Sequence, residues 1–102
     1  MELFYRNIPF RYDAEIALNG NNVCPDFMFR NGKTGEIRYW EHFGMMDDPK
    51  YRKRAFEKMD LYLDCGLIPD ENIIFTYETS NSPITIHAID KVIDDIESWL
   101  SQ

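Results

Sequence analysis

Pro25-Asp26-Phe27-Met28-Phe29-Arg30, then Asn31-Gly32-Lys33-Thr34-Gly35-Glu36, then Ile37-Arg38-Tyr39-Trp40-Glu41-His42-Phe43 is the stretch that decides the fold. Two apolar, aromatic-rich runs flank a polar loop with two glycines, which reads as an antiparallel hairpin. If Met28 faces Tyr39 and Arg30 faces Ile37, residues 31–36 are the loop and Asp26 stands opposite Glu41. Both acids then project from one face of the sheet. Like charges placed directly opposite are destabilising unless something neutralises them. Such a pair suits a hard divalent cation, with the backbone carbonyl of His42 and water as further oxygen ligands. The alternative is a pair of solvated strand residues.

Upstream, Phe10, Tyr12, Ala14, Ile16 and Leu18 alternate with Arg11, Asp13 and Glu15, which predicts one half-buried strand over 10–18. Asn19-Gly20-Asn21-Asn22 then makes a turn. The three strands form an antiparallel meander. Downstream, Gly44 ends the third strand, and Asp47 or Asp48 caps a helix with Pro49 in its first turn. Tyr51, Ala55, Phe56, Met59, Tyr62 and Leu63 share its apolar arc, with Lys58 at the margin and Gly66 as the stop. Arg52 projects oddly into that arc. Residues 72–78 are a fourth strand, and the strand–helix–strand order from residue 37 implies a right-handed crossover and a parallel pair. After a polar loop, Ile86, Ile89, Val92, Ile93, Ile96, Trp99 and Leu100 follow a helical period behind Thr85 as N-cap. A strand over 84–88 is the competing assignment.

The chain has 102 residues, 44% of them apolar, enough for the core of one domain over 1–102. It lacks an apolar run long enough to cross a bilayer and a secretory pattern at Met1–Asp13, and it has only two cysteines. A cytoplasmic protein without membrane partners is expected. Eleven basic against eighteen acidic residues give a net charge of −7, which disfavours a free-standing nucleic-acid-binding domain. A metal-dependent enzyme acting on phosphates stays open, because a bound dication changes the local field. Cys24, Cys65, His42 and His87 lack zinc spacing. His42 points away from the acids and reads as structural. Arg52, Lys53 and Arg54 are the basic cluster, either a solvated helix start or phosphate contacts.

Pro25-Asp26-Phe27, followed by Tyr39-Trp40-Glu41-His42-Phe43-Gly44-Met45 and then by Tyr51, Lys58, Tyr62, Gly66 and Thr76-Tyr77-Glu78, resembles the PD-(D/E)xK (restriction-endonuclease-like) nuclease superfamily over about residues 3–79. The resemblance implies an α/β fold: a mixed sheet of about four strands, an antiparallel meander plus one parallel strand, flanked by helices. It implies a metal-dependent DNA nuclease. Asp26, Glu41 and the His42 carbonyl would hold Mg²⁺ or Mn²⁺, and a lysine would assist a water attacking the phosphodiester. Phe43 stands where the lysine usually follows the glutamate, so Lys58 on the helix takes that role; its other reading is a snorkelling surface lysine. The stretch before Ile8 is too short for the family's first helix, and Glu2 is a poor substitute for that helix's acid, as in a fragment of a longer, multidomain DNA-processing protein. The contrasting expectation is an inactive nuclease-fold module that serves protein interaction or homodimerisation.

Overall fold

The computed structural model describes residues 6–102, so Glu2 lies outside the described residues. Its strands are β1 (Arg11–Tyr12), β2 (Ile16–Leu18), β3 (Asn21–Val23), β4 (Phe27–Arg30), β5 (Ile37–Phe43) and β6 (Ile73–Tyr77). Its helices are α1 (Pro49–Asp64), between β5 and β6, and α2 (Ile86–Leu100), after β6. The main sheet has the order β1-β4-β5-β6, and β2-β3 form a separate two-stranded sheet. β1 and β4 are antiparallel, as are β4 and β5, whereas β5 and β6 are parallel. The fold is therefore α/β with a mixed four-stranded sheet.

The hairpin takes the register expected from its sequence: Met28 pairs with Tyr39 and Arg30 with Ile37, and Phe27 pairs with Trp40. The side-chain period of two then separates two cores. On one face Phe29 and Trp40 pack with Ile93, Ile96 and Trp99 of α2. On the other, Tyr39 and Ile73 pack with Tyr62 of α1 and with Val23 of the small hairpin. The sheet is thus sandwiched between the helices, and each fully buried Ile of α2 contributes about 2 kcal/mol through the area it removes from water.

Both helices are capped as their sequences require. Asp48, not Asp47, is the N-cap of α1, its carboxylate accepting from the Lys50 and Tyr51 amides, and Pro49 sits in the first turn. At the other end Gly66, at φ +85°, lets the Leu67 amide reach the Tyr62 carbonyl and its own amide reach that of Leu63. Thr85 caps α2 through the Ala88 amide, so residues 86–88 are helix and the strand assignment over 84–88 fails.

Two expectations need correction. The segment 10–18 is not one strand. Asp13 adopts φ +51° and donates its amide to the Asp26 carbonyl, bending the chain so that β1 stays in the main sheet while β2 leaves it. β2 then turns back on β3 through Asn19-Gly20, both at positive φ, the geometry of a two-residue hairpin. The buried arc of α1 is also rotated. Phe56 and Leu63 are 52% and 50% exposed, while Ala55 and Tyr62 are buried, with Tyr51 and Lys58 half-buried between them. Arg52 is correspondingly exposed and donates to the Met46 carbonyl. Among the described residues no helix is long and apolar enough to cross a membrane.

Candidate functional site

Asp26 immediately precedes β4 and Glu41 lies in β5, in central position between β4 and β6. Continuing the hairpin register by one pair sets them opposite each other, on the face that α1 covers. Glu41 is only 3% exposed. One of its oxygens accepts from Lys58 Nζ at 2.9 Å and the other from the Tyr62 hydroxyl. Lys58 and Tyr62 are one helical turn apart, so both come from the same stripe of α1. The half-buried Asp26 accepts the His42 amide through Oδ2 at 2.7 Å. Its Oδ1 has no hydrogen-bond partner among the described residues.

Burial pushes the Glu41 carboxyl above its ordinary range; the bonds from Tyr62 and Lys58 pull it back, and the Asp26 charge adds to the rise. Burial and the bond to Glu41 also push the Tyr62 hydroxyl upward, so it stays protonated and donates. The arrangement keeps a carboxylate inside the protein with two donors aimed at it. A cavity of about 180 Å³ lies beside it, lined by Glu41, Phe43, Tyr51, Arg54, Ala55 and Lys58. The Tyr51 hydroxyl accepts the Gly44 amide at 3.0 Å, which ties the helix start to the end of β5.

His42 occupies the other face. Nδ1 meets Thr76 Oγ1 at 2.7 Å and Nε2 meets Glu78 Oε1 at 2.7 Å, while Trp40 Nε1 donates to the same Thr76 oxygen at 2.9 Å. The Thr76 oxygen accepts from Trp40 and also bonds Nδ1, and the imidazole tautomer sets which partner donates in that bond and in the one to Glu78. The His42 bond, with help from the Ile84 amide, holds the Glu78 carboxyl below its ordinary value. The imidazole thus fastens β6 to β5: it lies on the face opposite the acids in a structural role, and its partners come from the neighbouring strand and the residue just beyond it. Its amide faces Asp26, and strand geometry turns its carbonyl to the same side.

The sequence expectation set Asp26, Glu41, Lys58 and the His42 carbonyl together; Asp26 and Glu41 stand opposite each other on one sheet face, Lys58 Nζ meets Glu41 at 2.9 Å, and Asp26 accepts the His42 amide at 2.7 Å, while neither Asp26 nor His42 lines the cavity beside Glu41. The sequence reading did not assign Tyr62 to Glu41, although a tyrosine one turn beyond Lys58 signals it. The side-chain donors for a cation are two carboxylates; among the described residues no cluster of three or more His, Cys, Asp or Glu assembles. Two carboxylates and a carbonyl fit a small hard dication that retains several waters. They lack the nitrogen or sulfur ligands around which protein zinc sites are built.

Comparison with known proteins returns no matching family model, no similar curated protein and no similar solved structure.

Proposed function

We propose that this chain is a divalent-metal-dependent deoxyribonuclease domain that hydrolyses phosphodiesters. The observation that carries the reading is the convergence of Asp26 and Glu41 on one sheet face with Lys58 Nζ 2.9 Å from Glu41. Its motif resemblance to the PD-(D/E)xK superfamily supports the same chemistry. Asp26, Glu41 and the His42 carbonyl would hold Mg²⁺ or Mn²⁺. Such an ion supplies Lewis-acid polarisation of a phosphoryl oxygen and a more acidic bound water. Tyr62 fixes the orientation of the Glu41 carboxylate. Lys58 places a positive charge at the cavity wall, where it stabilises negative charge that develops on a phosphoryl group. The parent protein would be a DNA-processing, restriction or repair factor that contributes further domains.

Incubation with Mn²⁺ or Mg²⁺ and supercoiled, linear and single-stranded DNA tests the reading. Cutting by the wild type that falls at least about 100-fold in Asp26→Ala and in Glu41→Gln supports it. Equal cutting by wild type and the double variant sinks it.

A second reading has its own observation. Phe56 and Leu63, seven residues apart on α1, present exposed apolar side chains on the face away from the sheet. An inactive nuclease-fold module would use such a stripe for association, including homodimerisation. It predicts concentration-dependent sedimentation and no stoichiometric Mn²⁺ binding by calorimetry.

A further inference from the structure

The cavity beside Glu41 contains more than the proposed chemistry uses. Tyr51, Arg54, Ala55 and Lys58 line it from α1, at spacings that stack them along one helix face. Ala55 contributes only a methyl group, and this leaves the space open between its larger neighbours. Tyr51 accepts the Gly44 amide, so its own hydroxyl proton is directed elsewhere. Lys58 spends one contact on Glu41 and has three N–H donors. Arg54 makes no hydrogen bond or ion pair with any described residue. In a chain with eighteen acids, an arginine at a cavity wall without an acidic partner is the unusual feature.

The charge distribution points the same way. Lys50, Arg52, Lys53, Arg54 and Lys58 are five of the eleven basic residues of the chain, and only Glu57 intervenes among them as an acid. The rest of the chain is strongly acidic, so this half-helix is the place where a polyanion meets favourable potential.

We infer that the cavity is a seat for a backbone phosphate of a nucleic-acid strand, with Arg54 and Tyr51 as positioning residues. The inference deepens the nuclease reading and rests on it for the identity of the anion. The guanidinium fork matches two non-bridging phosphate oxygens. The Tyr51 hydroxyl donates to one of them, and Lys58 supplies the second positive charge. Both Glu41 oxygens accept hydrogen bonds, from Lys58 and from Tyr62, which weakens the repulsion Glu41 exerts on the phosphate, and the Lys58 charge is shared between the two anions. With two cations engaged, log affinity for a single strand falls against log salt with a slope of about −1.4, far shallower than for a protein with a broad basic face.

The test uses the full chain, isotope-labelled, without metal. Inorganic phosphate and then a short single-stranded oligodeoxynucleotide are titrated while the Gly44 amide and Arg54 Nε–H resonances are followed. Both probes should shift both signals saturably. Arg54→Gln, a change at an exposed position, should weaken oligonucleotide binding about 3- to 10-fold and reduce the salt slope by about 0.7. Tyr51→Phe should weaken it about 2- to 5-fold. In cleavage assays Arg54→Gln should raise KM with kcat nearly unchanged. No shift, a shift by phosphate alone, or equal affinity in Arg54→Gln overturns the seat. Cleavage whose KM and kcat both ignore Arg54→Gln refutes the seat and spares the nuclease. Saturable binding lost in Arg54→Gln, without cleavage by the wild type, refutes the nuclease and spares the seat.

Discussion

Replacing Lys58 with Met isolates the electrostatics of the site. Methionine keeps the length and apolar stem of lysine and removes its charge, so α1 packs as before while Glu41 loses the partner at 2.9 Å. Removing one member of a fully buried pair costs about 3–5 kcal/mol, because an uncompensated charge remains inside. Lys58 is 38% exposed, and solvent already screens the pair. Tyr62 also still donates to Glu41. The expected loss at neutral pH is therefore lower, about 2 kcal/mol, the value of a hydrogen bond to a charged group. For a domain of this size that lowers Tm by about 8–16 °C.

The pH dependence sharpens the test. The folded protein binds the Glu41 proton more tightly than the unfolded chain does, because burial raises that carboxyl above its ordinary value of 4.5. The Glu41 contribution to stability is consequently most favourable at low pH and declines as pH rises from the unfolded value through the folded one. Without Lys58 the carboxyl rises further, so the decline is deeper and extends to higher pH. Urea unfolding followed by the fluorescence of the buried Trp40 and Trp99 should show little difference between Lys58→Met and wild type near about pH 4. The gap should widen to about 2 kcal/mol by about pH 8. A loss that is the same at both pH values, or absent at the higher one, refutes the argument that Lys58 neutralises a buried carboxylate.

Three further perturbations follow from the same geometry. Glu41→Gln removes the buried charge while keeping an acceptor for Tyr62, so it should leave stability at neutral pH unchanged or raised by up to about 1 kcal/mol, read by urea unfolding. Asn31→Ala should cost about 2–3 kcal/mol in the same assay, because the buried amide donates to the Trp99 carbonyl at 2.9 Å and accepts the Lys33 amide at 2.9 Å, joining the hairpin loop to the end of α2. Glu78→Gln should flatten the acid limb of the stability profile: the carboxyl sits below its ordinary value beside His42, so its contribution is present above the unfolded value and disappears as pH falls through the folded one. Thermal melts across the acid range that superimpose for the two proteins would contradict this.

The hairpin was legible because aromatic strands on either side of a two-glycine loop admit few registers, and one register fixes the facing of every side chain from 26 to 41. Gly66 and Thr85 were legible, and the α1 N-cap to one of two adjacent aspartates, because caps satisfy local backbone groups with local side chains. The break at Asp13 was not. The alternation of apolar residues runs on across it, and an aspartate can take positive φ without a glycine to mark the place. The rotation of α1 was hidden for another reason. Phe56 and Leu63 outweigh Ala55 on any hydrophobic count, yet the small alanine and the Lys58–Tyr62 pair are what fit against Glu41. The link from His42 to Glu78 needs the parallel register of β6, with Thr76 beside His42. That pairing spans 34 residues.

The hairpin is synthesised before α1, and the groups that neutralise Glu41 reside on α1. Until that later segment arrives, two facing anions oppose closure of the very ladder that defines the domain. Completion of the helix and zipping of the strands are thereby coupled events.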